Sequence, residues 1–199
     1  MATYSKTQGT SFVSLQSVAA SSVLVGSAVD VSTVMGCSVF IHFGRRSATA
    51  AGAGVNIRIE ASSKSSLNGH WYPLAIYTTG FAACEAEAVS GTVNSGTNVI
   101  TVASTANLTA GDLIYIDNGT IANSEWGRVK SIVSNTSITI EDNLLNAQTG
   151  ATLYDSAEIL PVFQFDLSSI GRIRLVADGS AFTQAFAIEA HIVTADSIG

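Results

Sequence analysis

The sequence predicts an all-β chain: an antiparallel β-sandwich of jelly-roll type with a small β-barrel inserted into it. Three observations carry that prediction. Apolar residues arrive in short runs, several alternating with polar ones as half-buried strands require. Gly, Asn, Asp and Ser clusters close most runs, which is the punctuation of hairpin-connected strands. No segment sustains the apolar period of a core-packed helix.

Taken in order, residues 1–9 are polar and read as a mobile N-terminal arm, disordered by default and able to order against a neighbouring subunit. Residues 12–15, 22–25 and 28–31 follow as strands. Residues 38–43 (SVFIHF) form a near-continuous apolar run, the pattern of a strand covered on both faces. Residues 44–54 (GRRSATAAGAG) read as a flexible loop, making the basic pair Arg45 and Arg46 a solvated feature. Val55, Ile57 and Ile59 then alternate with Asn56, Arg58 and Glu60, the clearest two-residue period in the chain. After a loop over 62–69, residues 70–77 (HWYPLAIY) form an aromatic strand. Pro73 lacks a backbone donor, so this strand belongs at an edge or at a bulge. Residues 82–89 and 158–167 are expected to pair antiparallel, with the insertion standing where a hairpin turn would be. Ile173 and Leu175 point inward between Arg172 and Arg174. In the last strand Phe186, Ile188, Ala190 and Ile192 alternate with Ala187, Glu189, His191 and Val193. Residues 197–199 are a short tail.

The expected division is therefore a discontinuous sandwich of residues 1–89 and 157–199, with a barrel module over 90–156. Within the insertion, residues 99–102 (VITV), Gly111 and Asp112, residues 113–116 (LIYI), residues 125–129 (EWGRV), residues 138–144 and residues 150–154 (GATLY) recur in a distinct order. That order resembles a small β-barrel module found in tailed-bacteriophage virion proteins, and it covers about a third of the chain. The resemblance implies a structural protein of the virion.

Composition bears on the same question. Of 199 residues 47% are hydrophobic and only 12% charged, the latter about half the usual share. A monomer in water normally covers itself with Lys, Glu, Asp and Arg, so a neutral Ser/Thr/Asn/Gly/Ala coat fits a protein that packs against copies or partners. A secreted β-domain with a neutral polar coat is the alternative. Nine basic against fifteen acidic residues give a net charge of −6. That argues against nucleic acid, which needs a basic stripe to displace counterions, and against an anionic membrane surface. Residues 17–43 are too polar and too β-branched for a spanning helix, which needs ~20 predominantly apolar residues. Ser14, Gln16 and Ser17 interrupt the run that would serve as an export signal.

No residue is singled out as catalytic, cofactor-binding or metal-binding, and no cofactor is expected. Cys37 and Cys84 read as two buried free thiols, without the spacing of a metal site. Of the histidines His42, His70 and His191, the first and last lie in strands and are able to converge, with Glu189 or Glu60 to orient them. Asp112, Asp117, Glu125, Glu141 and Asp142 make the insertion acidic. Calcium takes several oxygens from such turns, yet no repeated acidic loop is present; Asp112 reads as a turn cap, and Glu125 as a partner of Arg128 or Lys130. Trp71, Tyr72 and Tyr77 are either packing residues or a sugar-stacking platform. Asn107, Asn118 and Asn135 match the glycosylation acceptor pattern.

The sequence reading is a non-enzymatic virion structural protein, in first place a capsid decoration (cement) protein. The resemblance implies a homo-oligomer, a trimer by analogy, bound to the major capsid protein or other virion proteins. A tail, neck or baseplate component is the nearer alternative. A carbohydrate-binding sandwich for host attachment is the farther one.

Overall fold

A computed structural model describes residues 6–48, 52, 54–64, 70–80 and 83–196, with the side chains of 6–9 and 196 left aside. The expected arm over 1–5, parts of the 44–54 and 62–69 loops, Ala82 and the 197–199 tail lie outside the described residues. The chain opens with β1 (Lys6–Val18), β2 (Val23–Val25), β3 (Val29–Asp30), β4 (Val34–Arg45), β5 (Asn56–Ser62) and β6 (Tyr72–Thr78). A second group follows: β7 (Ala86–Ala88), β8 (Thr92–Val93), β9 (Val99–Thr101), β10 (Leu113–Asp117), β11 (Glu125–Val133), β12 (Ser137–Ile140), β13 (Gln148–Thr149) and β14 (Thr152–Tyr154). The chain closes with β15 (Glu158–Ile159), β16 (Phe163–Asp166), β17 (Arg172–Asp178) and β18 (Phe186–Asp196). A single 3₁₀ turn, Ile121–Asn123, is the only helical segment described.

Two sheets form a β-sandwich, and all their pairings are antiparallel. In the first, β18 lies between β1 and β4, while β15 and β16 share the far edge of β4. In the second, β17 lies between the short β2 and β3 on one side and β5 on the other, with β6 outermost. Strand alternation sends every second side chain inward. Val39, Ile41, Phe43, Ile188, Ala190 and Ile192 from the first sheet therefore meet Ile57, Ile59, Ile173, Leu175 and Ala177 from the second in one buried cluster. Phe43, Phe182 and Phe186 close it with tilted and edge-on ring contacts at 5.4–6.3 Å.

The third sheet runs β7-β14-β10-β11-β12-β9 and curls into a half-barrel over its own core. Ile100, Ile114, Ile116, Val129, Ile138, Ile140 and Leu153 fill that core, while β8 and β13 make a short ribbon beside it. Its outer strands approach each other: Val89 bridges to Val102, and the Ser90 amide donates to the Thr101 carbonyl at 2.8 Å.

Several expectations meet their structural counterpart. Pro73 sits in β6, which among the described residues pairs only with β5 and carries a register shift beside the proline. Cys37 and Cys84 are buried free thiols. Burial alone pushes the Cys37 thiol up to about 11 and dominates the upward shift of Cys84.

Four expectations are corrected. Residues 6–9 are not an arm but the start of β1, with Lys6 opposite Ala195 and Thr7 opposite Thr194. The 82–89 and 158–167 segments do not pair. Within them β7 takes β14 as its partner, Ala86 opposite Tyr154, and β15 and β16 pair with β4. The free edge of β4 decides this, because Phe163 and Phe165 lie opposite Val39 and Cys37 and pack against the sandwich core. Residues 38–43 are not covered uniformly: Phe40 is exposed, whereas the outward face becomes covered from His42 to Gly44. Gly44 and Arg45 belong to β4, not to a solvated loop. Arg45 is 1% exposed.

Candidate functional site at the junction of the two cores

The last turn of β4 holds the two cores together. Alternation along β4 points Gly36, Ser38, Phe40, His42 and Gly44 away from the sandwich core. The half-barrel rests on the end of that row. Its key residue is Trp126, set directly opposite Tyr115 by the pairing of β10 with β11. The two rings lie 4.8 Å apart and tilted, and the far side of the indole stacks on His42 at 5.6 Å. Gly44 makes the approach possible: a Cβ there would meet Trp126 Cζ3 at 2.8 Å and Tyr115 Cβ at 3.0 Å.

Directed polar contacts fix the orientation. Trp126 Nε1 donates to Glu189 Oε2 at 2.8 Å, and Glu189 lies opposite His42 in the β4–β18 register. His191 Nε2 stands 3.2 Å from the other oxygen, Glu189 Oε1. One strand-end further, Arg46 grips Asp117 at 2.6 Å and also donates to the Ser17 hydroxyl. Asp117 in turn accepts from the Gly119 amide at 2.9 Å. Beneath this layer, buried Arg45 donates to the Gly80 carbonyl while Glu158 accepts from the Gly80 amide at 2.9 Å. Burial raises the Glu158 carboxyl above its ordinary range, against the Gly80 amide and the Arg45 charge that favour ionisation.

His42 is the electrostatic oddity. Burial holds its pKa below the ordinary imidazole value; Glu189 acts in the opposite direction, while His191 and Arg128 reinforce the burial effect. Its Nδ1 is buried and has no hydrogen-bond partner among the described residues. Trp126 lines two clefts. One of about 210 Å³ is lined by His42, Arg128, Glu141 and Asp142. The other, of about 570 Å³, lies between Leu15 of β1 and Ile121, Ala122 and Leu145 of the half-barrel.

The remaining candidates fall as follows. His42, His191 and Glu189 do converge, but Glu60 lies on the second sheet, paired with Arg58 at 3.3 Å and Arg174 at 2.7 Å. His70 is exposed just ahead of β6. Of the acidic residues between 112 and 142, Asp117 reaches across to Arg46, while Asp112 and Glu125 serve local structure. Asp112 caps its turn by accepting from the Thr109 amide at 2.6 Å. Glu125 is not a partner of Arg128 or Lys130; it accepts from the Leu145 and Asn146 amides and from Gln148 Nε2 at 2.7–2.9 Å. Glu141 stands 4.0 Å from Arg128. Trp71 lies under the guanidinium groups of Arg172 and Arg174, 5.2 and 4.3 Å from the ring centre. Tyr77 packs against the sandwich core and Tyr72 is exposed, so the three aromatics do not share one platform. Asn118 is engaged with Ala147 and Gln148, and Asn135 takes a positive φ of 49° in its turn.

Sequence reasoning missed Trp126, Gly44, Arg46 and Asp117 as a set. The one local signal was a glycine and two arginines directly after an apolar strand, which also reads as a loop.

No protein-family model matches this chain, and no curated protein matches it. Among solved structures, VP17, a capsid protein of bacteriophage P23-77, aligns over 99% of this chain and 96% of its own at 10% identity, with a TM-score of 0.17. The VP16–VP17 complex of the two major capsid proteins of the same phage aligns over 98% of each chain at 9% identity, again with a TM-score of 0.17. At that score neither alignment carries an argument about fold or function.

Proposed function

We propose that this chain is a non-enzymatic structural protein of a tailed-bacteriophage virion, and within that class a capsid decoration protein. In this reading residues 1–89 and 157–199 form a jelly-roll type sandwich and residues 90–156 a small barrel inserted into it, with β7, just ahead of residue 90, joining the barrel's sheet. The chain self-associates, as a trimer by analogy with such proteins, and binds the major capsid protein.

The observation that carries the reading is the difference between the two outer faces of the sandwich. The outer face of the second sheet carries Arg58, Glu60, Arg174 and Asp178 linked by ion pairs at 2.7–3.3 Å, with Val23, Val25 and Ile76 exposed beside them. Among the described residues the first sheet carries fewer charges past the junction. Past the junction its outward rows pair Phe40 with His191, Ser38 with Val193 and Gly36 with Ala195, with Gln164 beside Ser38 and the single carboxylate Asp166 beside Gly36. Phe40 is exposed there, and Met35 and Val162 lie exposed on the neighbouring segments. Burying neutral groups against another subunit avoids the desolvation cost that charged ones carry. A protein working by surface burial at subunit junctions stabilises the assembled shell by mass action.

Mass photometry of the purified chain, alone and mixed with expanded capsids of its phage, tests the reading. The expected result is a discrete small oligomer that saturates the shell, with Val193→Glu losing both properties. Rings or tubes formed without capsid would assign the protein to the tail. A monomer indifferent to shells, but binding glycan in a manner lost in Trp71→Ala, would overturn the structural reading.

A further inference from the structure

We infer that the junction between the sandwich and the half-barrel is an acid-sensitive latch, released when His42 takes up a second proton. The inference is independent of the proposed virion role and rests on the packing around His42.

An imidazolium carries two N–H donors, and both need acceptors when buried. His42 offers neither condition an easy answer. Its Nδ1 is buried without a partner, and its ring is pressed against Trp126 at 5.6 Å. The carboxylate opposite it, Glu189, is already engaged by the Trp126 indole N–H and by His191. The groups facing His42 are divided by element. From β18 come Glu189 and His191, and from β11 comes Arg128. Glu125 and, beyond β12, Glu141 and Asp142 line the same cleft. β15 contributes Ile159, which lies opposite His42 and bears no charge. Burial, His191 and Arg128 resist protonation and Glu189 eases it; resistance prevails, since the His42 pKa is held down.

The sign follows from linkage. With the half-barrel seated, His42 is held neutral; with it lifted away, the ring regains water and its ordinary affinity for a proton near pH 6.5. Acidification below that value therefore favours the lifted state. One proton is involved, so the seated-to-lifted ratio falls by at most tenfold per pH unit. An unperturbed carboxyl titrates at pH ~4, so the histidine is tested above pH ~5; Glu158, which burial raises, bonds the Gly80 amide and does not line the His42 cleft.

The full chain contains two tryptophans, so Trp71→Phe leaves Trp126 as the sole tryptophan, excited selectively over tyrosine. Its emission should shift between pH 7.5 and 5, and hydrogen exchange across β10 to β12, corrected for intrinsic rates, should lose protection by several-fold to tenfold. Protection in β5 and β17 should hold across that range. His42→Gln should abolish both changes, whereas His191→Gln should retain a transition. Should His42→Gln fail to fold, the His191→Gln protein and the comparison of β10–β12 with β5 and β17 still decide the matter. A flat profile in the wild type, a transition that survives His42→Gln, or one that His191→Gln alone removes would overturn the latch. Parallel loss of protection in all strands would do so equally, since it would mark global acid unfolding.

Discussion

Replacing Gly44 by alanine is the most direct test of how the two cores are joined. The added Cβ would stand 2.8 Å from Trp126 Cζ3 and 3.0 Å from Tyr115 Cβ. Carbon atoms rest comfortably no closer than ~3.5 Å, so about 0.7 Å must be found. Tyr115 cannot supply it, because its Cβ is fixed to the backbone of a fully buried residue in the middle of β10. The indole cannot swing freely either, with Tyr115 at 4.8 Å on one side and His42 at 5.6 Å on the other. Moving it by that amount takes the 2.8 Å bond to Glu189 beyond the ~3.2 Å limit of a good N–H···O contact. Overpacking costs roughly 1–3 kcal/mol and a bond to a charged acceptor contributes about as much, so Gly44→Ala should cost about 2–4 kcal/mol. Urea unfolding at pH 7.5 measures it, with Ser38→Ala as the same-face comparison, expected to change stability by about 0.5 kcal/mol or less. Combining Gly44→Ala with Trp126→Leu should cost less than the two changes summed, because the smaller side chain removes the clash. An alanine tolerated within about 0.5 kcal/mol, or strict additivity in the double variant, would refute the argument that Gly44 seats the half-barrel.

Two further outcomes follow from the interior. Arg45→Leu removes a buried cation from the Gly80 carbonyl and from beside Glu158, and should destabilise by about 3 kcal/mol in the same unfolding assay. Adding Glu158→Gln should recover part of that loss. The two thiols should be silent toward a disulfide reagent at pH 7.5 and both titrate in denaturant, since burial raises both and takes Cys37 to about 11.

Much of the sandwich was legible because its strands advertise themselves locally. The alternation through Val55, Ile57 and Ile59, the Arg172–Arg174 spacing around Ile173, and the final strand from Phe186 to Ile192 each define a face without reference to any partner. Pro73 announced an edge for the same reason. Partner choice is another matter. Whether 158–167 pairs with 82–89 or with β4 depends on which sheet has a free edge, and that is a property of the assembled sandwich. Arg45 was illegible for a related reason. Its burial depends on Gly80 and on a strand more than a hundred residues away, so a basic pair beside glycine looked like solvent-facing chain. The convergence of His42, His191 and Glu189 was readable as an option, because neighbouring strands bring outward side chains together. That Glu189 rather than Glu60 orients the site depended on strand order.

The junction also differs in kind from the cores it joins. Each core is a closed apolar cluster, and the two do not merge. Between them stand an indole hydrogen bond at 2.8 Å, an arginine–aspartate pair at 2.6 Å and a stacked imidazole. Apolar burial is non-directional, so a greasy joint would hold the half-barrel without settling its angle. Hydrogen bonds and ion pairs contribute modest net stability because desolvation offsets most of their strength, but they tolerate little misorientation. The half-barrel is thus aimed more firmly than it is bound. An element joined this way keeps one orientation for whatever it meets, and the loss or gain of one charge at the joint is enough to free it.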